Sequence, residues 1–176
     1  MADTERPACI ENWTRIEKPD IRHYDGDDEL MSIGAPLGRH LGLTRLGIHH
    51  ERLPPGRRTS YPHAESAEDE FVHVLAGAPD VWLDGILHRL APGDSVGFPA
   101  GTGLAHTFIN NTDEEVRLLV VGEKSKPENR IHYPKNPERR SLHDDWWEAP
   151  PRRSMGSHDG LSDRVRSQRT GSQGGE

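Results

Sequence analysis

From Leu41 to Val121 the apolar residues come in short runs that turn residues interrupt before a helical period can establish itself. The interruptions are Pro55-Gly56, Gly77, Asp84-Gly85, Pro92-Gly93, Pro99 to Gly103 and Asn110-Asn111. Many short strands with regular turn signals predict an all-β sandwich or barrel. Strands are expected near 43–53, 58–65, 70–76, 79–83, 86–90, 95–98, 105–110 and 115–122, and eight of them fit a closed double-sheet barrel. The clearest hairpin joins Val81-Trp82-Leu83 to Ile86-Leu87-His88-Arg89-Leu90 through Asp84-Gly85. Asp-Gly between two apolar runs favours a type I′ turn, since Gly takes positive φ without steric cost. Val116, Leu118 and Val120 share one face of the last strand, while Leu119 and Val121 share the other. A strand apolar on both faces belongs inside a sandwich or in a subunit interface, and a homodimer is expected.

Composition sharpens the boundaries. Residues 41–121 hold 33 apolar residues in 81 positions, and the other 95 hold 23. This predicts a polar N-terminal arm over 1–40, a barrel over 41–122, a surface-wrapping extension over 123–151 and a disordered tail over 152–176. Trp146-Trp147 is expected to dock the extension on the barrel. With 22 Lys+Arg against 29 Asp+Glu the formal charge is −7, and no basic stripe invites nucleic acid. No apolar run is long enough for a membrane span, and Met1 to Arg6 lack the pattern of a secretory signal. A cytoplasmic protein is expected. Cys9, the single cysteine, excludes an internal disulfide and a multi-cysteine zinc site.

Histidines and carboxylates gather around two turns. In the first, Gly56 leads through Tyr61, His63 and Glu65 to Glu70 and Gly77. Strand alternation would put Thr59, Tyr61, His63 and Glu65 on one face. In the second, Gly93 is followed by Pro99, Gly103, His106 and Asn110. Taken alone, His63, Glu65, Glu68 and Glu70 read as readily as a solvated acidic turn. Glu68 and Asp69 are expected to face solvent. Trp82, Phe98 and Phe108 are expected to fill core, Asn110 to serve a turn, and His73 to face away from the lumen. For His49 and His50 surface or core packing is the safer reading.

With both turns in view the chain resembles the cupin superfamily. The first cupin motif, G-x5-H-x-H-x3,4-E-x6-G, is matched by His63, Glu65 at the second His, Glu70 and Gly77; Gly56 is displaced by one residue. The second, G-x5-P-x-G-x2-H-x3-N, is matched by Gly93, Pro99, His106 and Asn110, with two extra residues before His106. The resemblance covers roughly 41–122 and implies a double-stranded β-helix (jelly roll) holding a divalent metal. The ligand roles would fall on His63, Glu65, Glu70 and His106. Glu65 replaces the usual His, which adds charge and hardens a site suited to Fe, Mn, Ni or Zn. If Glu65 points away, two His and one carboxylate remain, an arrangement used by non-haem iron oxygenases.

The expected function is a metal-dependent enzyme acting on a small organic molecule, with Glu65 or Tyr61 handling protons. An oxidoreductase or dioxygenase leads on family analogy. A lyase, dehydratase or isomerase, in which the metal stabilises an enolate, is the alternative, and a non-enzymatic small-molecule binder is the third. The paired arginines Arg57-Arg58 and Arg139-Arg140 are possible anchors for an anionic substrate, although such pairs are usually only solvated.

Overall fold

The computed structural model describes residues 6–171. Ten strands run in chain order: β1 Ile33–Ala35, β2 Leu46–Leu53, β3 Ala64–Glu65, β4 Glu70–Ala76, β5 Asp80–Leu83, β6 Ile86–Arg89, β7 Ser95–Phe98, β8 His106–Ile109, β9 Val116–Glu123 and β10 Ile131–His132. Three α-helices, α1 Trp13–Ile16, α2 Leu37–His40 and α3 Asp163–Gly171, and a 3₁₀ helix, Pro137–Leu142, accompany them among the described residues. A five-stranded sheet in the order β1-β2-β9-β4-β7 faces a three-stranded sheet β6-β5-β8, and β10 pairs with β3 at one end. All pairings between these strands are antiparallel.

Alternation along each strand builds the core between the sheets. Leu53, Val72, Val74, Val116 and Leu118 of the larger sheet meet Val81 and Phe108 of the smaller, with Phe98 at the rim. Each such side chain, fully buried, contributes roughly 1.5–3 kcal/mol. The smaller sheet is buried on its other face as well, where Trp82 and Ile109 pack with Ala64, Ala105, Leu87 and Trp147. That double burial is why the run Val81-Trp82-Leu83 shows no polar alternation. Asp84 and Gly85 turn the β5–β6 hairpin with φ of 45° and 90°, as Asp-Gly demands.

Three expectations drawn from the pattern need correcting. The first is the strand expected over 58–65, of which only Ala64–Glu65 is regular. Arg58 bridges to Ile109 and His63 to His106, so five steps on one side span three on the other. Two extra residues therefore bulge out around Tyr61-Pro62, where Pro62 has no N–H to offer a ladder. The second is the N-terminal arm. Its residues 31–35 are mostly buried, and β1 extends the larger sheet beside β2. Met31 and Ile33 are the apolar residues that make this possible.

The third correction concerns the tail. Residues 172–176 lie outside the description, but 156–166 pack on the barrel. The Trp82 indole N–H donates to His158 O at 3.0 Å and Arg58 Nη1 donates to Gly160 O at 3.0 Å. Ser162 Oγ donates to Gly56 O at 2.6 Å, and Leu161 and Ser162 are buried. The segment supplies hydrogen-bond partners to the polar atoms of the barrel that it covers, so its low apolar content does not prevent docking. As expected, Trp146 and Trp147 pack on the barrel, Trp147 on the Trp82 cluster and Trp146 beside Tyr133. Among the described residues no helix is long and apolar enough to cross a membrane.

Candidate metal centre

His63 and His106 are cross-strand partners, Glu70 opens β4, and all three side chains enter the space between the sheets. One ligand atom from each lies within 4.8 Å of the other two. In His63, Nδ1 lies 2.9 Å from Tyr61 O; in His106, Nδ1 lies 3.3 Å from Leu104 O. A carbonyl can only accept, so each Nδ1 carries the proton and each Nε2 lone pair is free to point inward. The Phe98 ring stacks on His106 at 3.5 Å and 9°, which holds the imidazole plane.

The electrostatics suit a cation. Burial, and then the neighbouring His106, push the His63 ring down to about 4, so it is the neutral, ligating form at neutral pH. Burial pushes the Glu70 carboxyl up, but a proton on His106 Nε2, standing where a cation would, more than offsets this by its hydrogen bond and charge and holds the carboxyl below the ordinary range. His106 Nε2 faces Glu70 Oε1 at 3.3 Å. With Nδ1 protonated, these are two acceptors face to face, and such a pair calls for a cation or a proton between them. Two imidazoles and one carboxylate fit Fe, Mn, Ni or Zn, and fit Mg or Ca poorly.

Glu65 and Tyr61 stand elsewhere than expected. Glu65 contributes no atom to the His63, Glu70 and His106 set, and it borders a narrow gap beside Glu70 and His106. Burial, then the charges of Glu68 and Glu70, raise its carboxyl to about 7. Tyr61 is carried out of the lumen by the bulge. Its ring stacks on Tyr24 at 4.1 Å, its hydroxyl donates to Asp27, and the Arg58 guanidinium lies 4.7 Å over the ring. Burial and Asp27 push its hydroxyl well above the ordinary phenol range, which suits a packing residue and not a proton carrier. Glu68 is buried too, accepting from Lys126 N at 2.5 Å.

The arginine pairs are committed to the fold. Arg57 is held by Asp20, the buried Arg58 by Glu29, and Arg140 by Glu148, while the buried Arg139 donates to Asp25 O. Asn110 is fully buried in its turn, donating to Leu53 O and Glu114 O at 2.8 and 2.7 Å. His73 meets Ser95 on the outer face.

The lumen is a cavity of about 130 Å³ that also takes in Arg22, Thr59, Ser60 and Glu51. Glu51 was legible in the sequence: it shares a strand face with Leu53, which points into the core. Arg22 was not, because it sits in the irregular arm. Arg22, Glu51, Glu70 and Val120 also line an open cleft of about 960 Å³, into which the lumen leads.

Residues 49–122 match the model of the family described as Cupin domain. Protein SchB of Streptomyces halstedii is 31% identical over 116 residues, which make up 66% of this chain and 78% of that protein. A sugar phosphate isomerase of the cupin superfamily from Silicibacter pomeroyi DSS-3 is 37% identical, with a TM-score of 0.56 over 58% of this chain and 64% of that one. A candidate sugar phosphate isomerase from Acidithiobacillus ferrooxidans ATCC 23270 is 31% identical, with a TM-score of 0.57 over 60% and 66%. The likeness spans just under two thirds of each of these two solved chains. With both motifs, the jelly-roll sheets and these relatives in agreement, the chain belongs to the cupin superfamily, as a small cupin-type domain.

Proposed function

We propose that the protein is a metal-dependent isomerase acting on a small, oxygen-rich carbonyl compound. The observation that carries this reading is the convergence of His63, Glu70 and His106 within 4.8 Å at the end of a cavity that opens to solvent. These three residues would hold the metal. A metal bound there supplies Lewis acidity toward neighbouring carbonyl and hydroxyl oxygens. The chain supplies the rest. Thr59 and Ser60 line the lumen with hydroxyls that can orient a polyhydroxylated substrate, and Phe108 and Val120 wall it with apolar surface that limits water. Glu65, beside Glu70 and His106 but outside the ligand set, is a carboxyl left to move a proton. The likeness above 30% identity to one solved sugar phosphate isomerase and one candidate sugar phosphate isomerase supports isomerisation over oxidation as the first reading.

A set of two His and one carboxylate also suits dioxygen chemistry, and that observation favours a dioxygenase as the second reading. One experiment separates them. The protein, reconstituted with Mn or Fe, is incubated in deuterium oxide with a panel of aldose and ketose phosphates. Deuterium entering the carbon next to the carbonyl, seen by NMR without oxygen uptake, is the expected result. Oxygen consumption without exchange would transfer the reading to the dioxygenase, and neither signal across the panel would remove the isomerase.

A further inference from the structure

The cleft outside the lumen has a charge balance opposite to that of the chain. Its wall carries Lys18, Arg22, Arg39 and Lys124 against Glu51, Glu70 and Glu123. All three acids are engaged. Glu51 accepts from Ser32 at 2.6 Å and faces Arg22 at 3.4 Å, Glu70 belongs to the metal set, and Glu123 accepts from Lys126 at 2.6 Å. On the cationic side, the Lys18 ammonium and the Arg39 guanidinium have no side-chain partner among the described residues, and Lys124 Nζ reaches only Leu43 O, at 3.4 Å. In a chain of net charge −7, an uncompensated group of cations facing one concave surface is a focused field for an anion.

Arg22 joins the two spaces. Its Nη1 donates to Ser32 Oγ at 3.1 Å and to Glu51, which anchors the guanidinium at the mouth of the lumen. Its Nε and Nη2 donate to nothing else among the described residues, so one edge of the fork is left for an oxyanion. Arg22 lines the same cavity as His63, Glu70 and His106, so it stands near the ligand set.

We propose that the substrate carries an anionic oxygen group, a phosphate ester or a carboxylate. Arg22 receives that group at the lumen mouth, with Arg39 and Lys124 along the cleft, while the carbonyl end of the molecule reaches His63, Glu70 and His106. This rests on the isomerase reading for its carbonyl end. The anion site itself is read from Arg22, Arg39, Lys124 and the cleft.

The test is equilibrium binding to the full chain, as purified and again after chelation, so that direct ligation of metal by the anion is separated from the cleft. Ribose 5-phosphate, ribonate and ribose are the probes, titrated by calorimetry at low and high salt. Either anion should bind at least about tenfold more tightly than ribose, and salt should erode the preference. Whichever anion shows the preference identifies the group as phosphate or carboxylate. In Arg22→Met, and in Arg39→Met/Lys124→Met, the preference should fall to less than about threefold. Circular dichroism and metal content of these variants should match the wild type. No preference for either anion, or a preference that survives in both variants, overturns the proposal. Loss of metal binding with the preference intact would instead overturn the isomerase reading and leave the anion site standing.

Discussion

His63 and His106 exchange both backbone hydrogen bonds, His63 N donating to His106 O at 3.1 Å and His106 N donating to His63 O at 2.9 Å. The pair fixes the register at which the two imidazoles meet, their centroids 4.9 Å apart. Because the backbone holds the alignment, removing either ring should delete a ligand without moving the other. His63→Ala and His106→Ala should each lower affinity for Mn or Zn by at least about 100-fold, beyond the 10–100-fold typical of outer partners of a metal ligand. The wild type should copurify with close to one metal per chain. Elemental analysis finding a tenth of an equivalent or less, not recovered on adding metal, would contradict the site.

Glu65 gives the sharpest contrast with the family motif, whose second His it replaces. The resemblance to the motif implies a fourth ligand there, whereas its atoms lie outside the set formed by His63, Glu70 and His106. Glu65→Gln should therefore keep metal affinity within about threefold of wild type and reduce turnover of an identified substrate. Glu70→Gln should weaken metal binding by at least tenfold, as expected for loss of a charged ligand. A large loss of metal in Glu65→Gln, comparable to that in Glu70→Gln, would restore the four-ligand site.

The difference between Glu65 and Tyr61 shows what was legible. His63, Glu70 and His106 could be placed because each sits next to a regular strand or opens one, where the two-residue period holds. Tyr61 could not, since two extra residues between Arg58 and His63 shift its side chain to the far side. A bulge beside a proline leaves no periodic trace. The core strands from β4 to β9 were readable from turn chemistry and alternation. The docking of the arm and of 156–166 was not, because it relies on hydrogen bonds from Arg58, Trp82 and Ser162 more than on apolar runs. Arg22 belongs to the same class, a polar residue given its place only by tertiary contacts.

The docked segment leads to a stability prediction. A chain ending at Pro151 would lose the acceptors of the Trp82 indole and of Arg58 Nη1, together with the buried Leu161. Water can replace both acceptors once the cover is gone, so the loss is about 0.5–1.5 kcal/mol for each hydrogen bond, plus roughly 1.5–3 kcal/mol for the burial of Leu161. At about 2–4 °C per kcal/mol for a chain of this size, the melting temperature should fall by roughly 5 °C or more. An unchanged melting temperature would show that the segment contributes nothing.

The same docking should depend on pH. Burial, then the Arg166 guanidinium 2.7 Å from Nε2, hold the His158 ring below its ordinary value, while Asp159, Asp163 and Asp80 pull weakly the other way. The neutral ring is favoured in the docked state, so its contribution is complete above about 6.5 and is lost as pH falls through the lowered folded value. Asp159 adds a second step. Burial alone would raise it, but Arg166 more than offsets that and brings it to about 2, so its contribution persists above about 4 and fades only below that. Asp159 is close to half exposed, and water screens its share, which leaves His158 to dominate near neutrality. The difference in melting temperature between the full chain and the chain ending at Pro151 should therefore shrink from pH 7.5 to pH 5. In His158→Asn, which cannot take up a proton, it should stay level over that range. A difference that is constant in the wild type, or that shrinks equally in His158→Asn, would exclude His158 as the group that senses pH.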